Sequence, residues 1–151
     1  MRGRKAKVDE VRAVVGYCRV STREQAIDGG SLPAQENRLR ALSDADGRPI
    51  ARLFVDAGFS AGTLKRPAVR ELLTLVREGK VAVIYCTKLD RMLRSLADLL
   101  AVVKLFQKHD VALVSASEHI DTSSAAGRMM VSMLGVIGEF ERSGSRSALR
   151  T

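Results

Sequence analysis

Short apolar runs alternate along this chain with segments of helical periodicity, and this alternation limits the fold more than any other feature. The apolar runs are four predicted strands, Ala13 to Cys18, Ile50 to Asp56, Val81 to Cys86 and Val111 to Ala116. The third and fourth runs are continuously apolar, which is typical of parallel strands covered by helices on both faces. The alternation therefore predicts an α/β fold with helices packed on a central sheet.

Several segments between the strands have recognisable helix ends. Pro67 suits the first position of a helix, and Gly79 lies just past the end of that helix. Its apolar stripe has helical spacing and consists of Val69, Leu72, Leu73 and Val76. Ser95 and Asp98 form a capping box that predicts a further helix. A weaker helix is predicted from about Leu32 to Ala45.

The last predicted helix, from about Ala125 to Arg142, has two neighbouring faces instead of one. One face consists of Met130, Leu134, Ile137 and Glu141, and the other of Met129, Met133, Val136 and Phe140. Two stripes exceed what one flank of a sheet can cover, so we expect one to pack on its own domain and the other on a second copy. A fully buried central helix is the alternative. Glycines within it cost about 1 kcal/mol each in helix propensity, which close packing could offset.

Composition narrows the class of protein and of partner. The chain has 151 residues, of which 46% are apolar, enough for one domain with a real core. Its net charge of +8 favours a polyanionic partner, nucleic acid first. Cys18 and Cys86 each close an apolar run, so we expect small buried hydrophobes and no disulfide. The chain has neither a run of about 18 apolar residues nor the apolar region of a signal peptide, which predicts a cytoplasmic protein without a membrane partner.

Ser21 follows the first strand, and the residues around it exclude several enzyme classes. A hydrolase-type serine needs a base and a G-x-S-x-G elbow, and Ser21 has neither nearby. The two histidines, His109 and His119, fit ordinary surface turns. The phosphate loop of ATP and GTP enzymes is absent, so no nucleotide cofactor is expected. The phosphatase pattern of Cys, five residues and Arg fails at both cysteines.

Basic residues instead follow three successive strands. Arg19 and Ser21 follow the first strand, Arg66 lies after the second, and the segment Lys88 to Arg94 follows the third. In α/β sheets the carboxyl ends of strands form the site, so these groups should converge. Guanidinium groups match phosphate oxygens, and several of them would bind a phosphodiester and stabilise its transition state. The pattern predicts attack by Ser21 on phosphorus. Each arginine alone could equally be a solvated surface charge.

Three ordered motifs give the chain a resemblance to a known family. "YCRVST" at Tyr17 to Thr22, "KLDRMLR" at Lys88 to Arg94 and "GRMM…EFER" at Gly127 to Arg142 resemble the catalytic domain of the serine recombinases, the family of resolvases, invertases and serine integrases. The resemblance extends from about Ala13 to Arg142. "DGGSLPAQ" at Asp28 to Gln35 is similar to the larger, integrase-like branch.

The resemblance implies both a fold and a reaction. The fold is a three-layer resolvase-like domain with a mainly parallel sheet of four to five strands and a long C-terminal oligomerisation helix. The serine attacks double-stranded DNA, forms a 5′-phosphoserine link and leaves a free 3′ hydroxyl. Dimers assemble into a tetramer that exchanges and religates strands. Neither metal nor ATP is required, which agrees with the lack of metal-ligand spacing in the sequence.

By the same resemblance, Ser21 is the nucleophile. The phosphate pocket consists of Arg19, Arg66, Arg91 and Arg94. Asp90 would orient these arginines or assist proton transfer. Supporting roles are assigned to Tyr17, Gln25, Ser60, Lys88, Glu141 and Arg142.

The chain departs from the family pattern after Arg142. The family continues its long helix there, whereas this chain reads "SGSRSALRT". Gly144 and the serines are expected to fray the helix. The predicted division is a basic tail at 1–12, a catalytic domain at 13–124, an interface helix at 125–142 and a flexible or truncated end at 143–151. We expect a DNA-recognition domain to be missing.

Two other functions remain compatible with the residues. The chain could be an oligomerisation fragment of a recombinase without activity of its own. It could also be a phosphodiester hydrolase in which Ser21 attacks phosphorus and water releases the product.

Overall fold

The computed structural model describes residues 11–20, 31–58, 66–93 and 96–148, apart from the side chains of residues 96, 97, 142 and 145–148. Five strands form one sheet: β1 (Ala13–Val20), β2 (Arg52–Ala57), β3 (Val81–Cys86), β4 (Ala112–Ser115) and β5 (Ile120–Asp121). Their order across the sheet is β2-β1-β3-β4-β5. The first four strands are parallel, and the short β5 runs antiparallel to β4. The predicted α/β fold with a mainly parallel sheet is confirmed.

The described helices lie on both sides of this sheet. They are α1 (Leu32–Ala45), α2 (Pro67–Arg77), the single turn α3 (Leu89–Met92), α4 (Leu96–Lys108) and α5 (Ala125–Ala148). On one face, Leu39 of α1 packs with Cys18 and Tyr85. On the other face, Leu72 of α2 and Phe106 of α4 join the larger part of the core. The alternating side chains of the central strands supply both faces.

The predicted ends of α1 and α2 are confirmed. The hydroxyl of Ser31 accepts a hydrogen bond from the N–H of Ala34, which caps the start of α1. Pro67 begins α2, where its missing N–H costs nothing. Gly79 follows α2 with a φ of +74°, a left-handed conformation that favours glycine. Of the predicted apolar stripe, three residues are buried and Leu73 is partly buried.

The long C-terminal helix α5 differs from expectation in two ways. It continues to Ala148, so the predicted end near Arg142 is wrong. A glycine and several serines lower helix propensity by no more than about 1 kcal/mol each, and no proline interrupts the segment. The predicted faces are also shifted. The residues against the domain are Gly127, Val131, Leu134, Gly135 and Gly138, whereas Met130 and Ile137 are 43% and 49% exposed.

The alternative of a fully buried α5 is wrong. Its exposed apolar residues form a continuous surface, the α5 apolar face, which consists of Met129, Met130, Met133, Val136, Ile137 and Phe140. The glycines account for the close contact on the opposite side. A Cβ on Gly135 would lie 2.3 Å from a methyl of Leu100 on α4, so glycine allows the two helices to approach. Within the described ranges, no helix is long and apolar enough to cross a membrane.

Candidate active site

Two arginines converge on the end of α3 at the carboxyl edge of the sheet. The Nε of Arg19 donates to the main-chain carbonyl of Arg91 at 3.0 Å. Arg66 donates to the same carbonyl at 3.1 Å and to that of Met92 at 2.7 Å. The last carbonyls of a helix have no partner within it, so guanidinium groups are suitable caps. The end of β1 and the segments after β2 and β3 therefore meet at this point, as the sequence predicted, although Arg19 lies within β1 and not after it.

Arg66 is held on its other side by Tyr17. Its guanidinium donates to the phenolic oxygen of Tyr17 at 3.3 Å, and that hydroxyl donates to Asp56 at 2.8 Å. Burial first, and then the bond to Asp56, raises the pKa of Tyr17 above its usual value. The phenol therefore stays protonated at neutral pH, and Tyr17 is a poor candidate for a nucleophile.

Asp56 joins β2 to the start of α2. Its carboxylate accepts the N–H groups of Ala68 at 2.9 Å and Val69 at 3.1 Å, two of the donors that the first turn of α2 leaves without an internal partner. Arg66 occupies the N-cap position and makes no side-chain cap itself. Asp56 therefore replaces the missing cap and positions Arg66 next to the start of the helix.

Gln35 fixes the backbone that leads to Ser21. Its buried side-chain amide accepts the N–H of Arg19 at 3.3 Å and donates to the carbonyl of Arg19 at 3.1 Å. Val20 is the last residue of β1, and its carbonyl accepts the N–H of Gly58. Strand pairing and the glutamine together hold the chain in place up to the residue before Ser21.

Glu118 holds the start of α3 from the turn after β4. Its carboxylate accepts the N–H of Leu89 at 3.2 Å and a hydrogen bond from the hydroxyl of Ser115. The same carboxyl edge is joined by the N–H of Ser117, which donates to the carbonyl of Thr87. Both ends of the turn that carries Arg91 are thus held by side chains from other elements.

The remaining predicted residues are either exposed or outside the described ranges. Asp90 and Lys88 are exposed, and among the described residues Asp90 makes no hydrogen bond or ion pair with an arginine. Orientation of Arg19 and Arg66 comes instead from the carbonyls of the α3 turn. Glu141 is exposed on α5 and likewise has no such bond within the described ranges. Ser21, Gln25, Ser60, Arg94 and the side chain of Arg142 lie outside the described residues.

Three contributors were missed by the sequence interpretation, namely Gln35, Asp56 and Glu118. Gln35 was detectable as a polar residue on the apolar side of α1, between Leu32 and Leu39. Asp56 was taken only as the end of a strand. For Glu118 no signal existed, because its partner Leu89 is distant in sequence and the bond is to a main-chain N–H.

The cysteines and histidines behave as expected. Burial raises the pKa of Cys18 to about 11 and that of Cys86 to about 12, and neither forms a disulfide. His109 and His119 lie in turns, and His119 is exposed. In the part of the chain that is described, no three His, Cys, Asp or Glu side chains are grouped to hold a metal ion.

Comparison with known proteins decides the family. The family model described as "Resolvase, N terminal domain" matches residues 14–151. The chain belongs to the resolvase family. Its fold matches the N-terminal catalytic domain of TP901-1 integrase with a TM-score of 0.80 and 38% identity, over 87% of this chain and 98% of that one. This likeness supports the integrase-like branch of the serine recombinases.

Other relatives of this resolvase-family domain agree. It is 35% identical to the DNA-invertase hin of Salmonella typhimurium over 86% of this chain and 61% of that protein. It is 33% identical to the Transposon Tn917 resolvase of Enterococcus faecalis, over 85% and 62% of the two chains. A resolvase family site-specific recombinase from Streptococcus pneumoniae has a TM-score of 0.76 at 30% identity, with 92% of this chain and 93% of that one covered. The chain thus spans less than two-thirds of the length of these two curated relatives.

Proposed function

We propose that this chain is the catalytic domain of a site-specific DNA recombinase in which Ser21 attacks the scissile phosphodiester. The observation that carries the proposal is the meeting of Arg19, Arg66 and the Arg91 turn at the edge where β1 leads into Ser21. The resolvase-family match and the recombinase names of the relatives support the same reaction class.

The chemistry exchanges one phosphodiester for another. The Ser21 oxygen forms a bond to phosphorus, the bond from phosphorus to the 3′ oxygen breaks, and the hydroxyl proton of the serine is transferred so that the 3′ oxygen leaves as a hydroxyl. The 5′ end remains as a phosphoserine. Because a phosphodiester is kept throughout, religation by a 3′ hydroxyl needs no ATP. Guanidinium groups stabilise the charge on phosphorus, a role that a metal ion has in other enzymes.

The contacts divide the arginines into two roles within this proposal. Arg66 is 8% exposed, and its guanidinium donates hydrogen bonds to Tyr17 and to two main-chain carbonyls, so we assign it a structural role in the site. Arg91 is half-buried, contributes its carbonyl to that framework and lines a basic pocket at the same edge, so we assign its side chain to the phosphate. Arg94, which follows two residues after Met92 in sequence, is proposed as its companion. Asp90 remains the proposed aid to proton transfer, since it is exposed at the same turn.

Self-association belongs to the proposal. The α5 apolar face exposes six large side chains, among them Phe140 at 79% and Val136 at 66%. Exposed apolar patches of this kind mark interaction sites. We propose that this face pairs with a second copy to form a dimer, and that dimers combine into a tetramer on double-stranded DNA.

The decisive test is a covalent adduct. This chain, fused to a DNA-binding domain of known target, is mixed with a duplex that carries the target beside a candidate cleavage region. The parent should become linked to the 5′ end of cut DNA through Ser21, whereas Ser21→Ala should bind the duplex and form no adduct. Peptide mapping locates the bond. A link to Tyr17 or Thr22 would overturn the nucleophile assignment, and cutting by the alanine variant would indicate an activated water and a hydrolase.

A further inference from the structure

A small basic pocket lies beside the α3 turn at the carboxyl edge of the sheet. It has a volume of about 160 Å³ and is lined by Ala34, Gln35, Arg38, Thr87, Lys88 and Arg91. Three of the six lining residues are cationic, and none is acidic. Pockets for complete small-molecule ligands have volumes of about 300–1,000 Å³. This pocket therefore suits a single anionic group.

Arg38 is the feature of this pocket that neither the sequence motifs nor the active-site contacts explain. It extends from α1, and its guanidinium donates to the hydroxyl of Ser117 at 3.2 Å. Ser117 lies in the turn after β4 and is itself bonded to the carbonyl of Thr87. Arg38 thus reaches across the carboxyl edge toward the segment that begins the α3 turn.

Arg38 contrasts with three arginines whose charge is paired with a carboxylate. Arg40 pairs with Glu36 at 3.0 Å, Arg52 with Glu71 at 2.8 Å, and Arg48 with Asp121 at 3.1 Å. Within the described ranges, no carboxylate lies within ion-pair distance of Arg38 or Lys88. Two cations without a carboxylate partner, next to a third at the proposed reaction centre, produce a local positive potential that favours an anion.

We propose that Arg38 and Lys88 form a second phosphate subsite that binds a backbone phosphate of the DNA strand next to the scissile one. This proposal rests on the proposed function, because the scissile phosphate is assigned to the Arg91 side of the same pocket. Gln35 links the two sites, since it lines the pocket and its amide is bonded to the main chain of Arg19. A strand fixed at two phosphates would be held in register against Ser21.

The subsite is tested by the salt dependence of duplex binding. Each phosphate contact contributes about 0.9 to the slope of log K against log salt concentration on double-stranded DNA. The 151-residue chain is titrated with a duplex at several salt concentrations. Arg38→Gln should lower the slope by about 0.9, and Lys88→Gln should do the same. Arg38→Lys should keep most of the slope, because a lysine still neutralises a phosphate.

Arg40→Gln is the matched control. It lies on the same helix, removes the same charge and breaks an exposed pair with Glu36 and a 3.5 Å hydrogen bond to the carbonyl of Ile50, neither of which is at the basic pocket, so its slope should equal that of the parent. Circular dichroism checks that every variant is folded. Equal slopes for Arg38→Gln and Arg40→Gln would overturn the subsite, as would a parent chain that binds no duplex at low salt.

Two further arms separate this inference from neighbouring explanations. Inorganic phosphate is tested as a competing ligand for the parent and for Arg38→Gln. If phosphate binds tightly to the parent only, while the two proteins have equal salt slopes for duplex binding, the pocket binds a free anion and the DNA assignment is wrong. The covalent adduct at Ser21 is measured independently. If the parent forms the adduct but Arg38→Gln and Lys88→Gln keep the parent's salt slope, only the subsite is rejected. If these variants lower the slope but the parent forms no adduct, only the proposed reaction is rejected.

Discussion

Replacing Gly127 by alanine should destabilise the domain even though alanine is the better helix former. A Cβ built on Gly127 would lie 1.8 Å from the carbonyl oxygen of Asp121 and 2.5 Å from its carbonyl carbon. Both are main-chain atoms and cannot rotate away. The same carbonyl accepts the N–H of Ser124 at 3.1 Å and its hydroxyl at 2.8 Å. Room for a methyl therefore requires the turn between β5 and α5 to move.

The magnitude follows from the opposing contributions. Alanine gains up to about 1 kcal/mol in helix propensity. Overpacking costs about 1–3 kcal/mol, and disturbing two hydrogen bonds in the turn costs about 1 kcal/mol each. The net loss should be about 2–4 kcal/mol. At about 2–4 °C per kcal/mol for a chain of this size, Tm should fall by about 4–16 °C.

Two other glycines of α5 provide matched controls with the same gain in propensity. The three atoms nearest to a Cβ on Gly135 all belong to the side chain of Leu100, with a methyl at 2.3 Å and Cγ at 3.1 Å. A side chain can move more easily than a main-chain carbonyl, so Gly135→Ala should lose less stability than Gly127→Ala. A Cβ on Gly144 would meet nothing within 4 Å, so Gly144→Ala should raise Tm. The assay is thermal unfolding by circular dichroism at one protein concentration. A Gly127→Ala variant as stable as Gly144→Ala would refute the close approach of α5 to β5.

Four further outcomes are expected. Arg91→Lys keeps the positive charge and the main-chain carbonyl that holds Arg19 and Arg66, but it loses the planar guanidinium. Adduct formation should therefore drop severely while duplex affinity changes little, and unchanged adduct formation would show that Arg91 supplies only charge. Met133 is 59% exposed, so the carboxylate of Met133→Glu should leave the domain folded but be unfavourable within an apolar interface. The variant should therefore sediment as a folded monomer, and an unchanged dimer would exclude the α5 apolar face from the interface. Glu118→Ala should slow adduct formation and leave duplex affinity unchanged. Glu118→Gln should restore the rate of adduct formation, because an amide oxygen can still accept the N–H of Leu89. A Glu118→Gln variant as slow as Glu118→Ala would argue against a positioning role. Stability should decrease above about pH 9, because burial raises the pKa of Cys18, Cys86 and Tyr17, and the unfolded chain releases protons that the native state keeps. Burial and then the bond to Asp46 raise the pKa of Tyr85 to about 12, so Tyr85→Phe should make the loss between about pH 9 and pH 11 smaller in urea unfolding without abolishing it.

Much of the site could be located from the sequence because each basic segment follows a strand. Arg19, Arg66 and Arg91 were assigned to one edge by the rule that parallel strands end together, and the hydrogen bonds at the α3 turn show that the side chains of Arg19 and Arg66 reach the main chain of Arg91 there. Their division of labour was not predictable. It depends on which main-chain carbonyl accepts a hydrogen bond from each guanidinium. Every residue has such a carbonyl, so the sequence does not show which one is used.

Helix α5 shows most clearly which properties follow from the sequence and which depend on the tertiary structure. Its helical character, its excess of apolar residues and the small residues within it were evident from periodicity and composition. Which stripe faces the domain depended on where Gly127 and Gly135 meet the β5 turn and Leu100. Similarly, the sequence alone determined the α/β alternation, the basic charge and the motif around Ser21, since these depend on local residue patterns. Only the tertiary structure decided the contacts of Gln35, Asp56 and Glu118, because each bonds to a main-chain group that is distant along the chain and equally available in every residue.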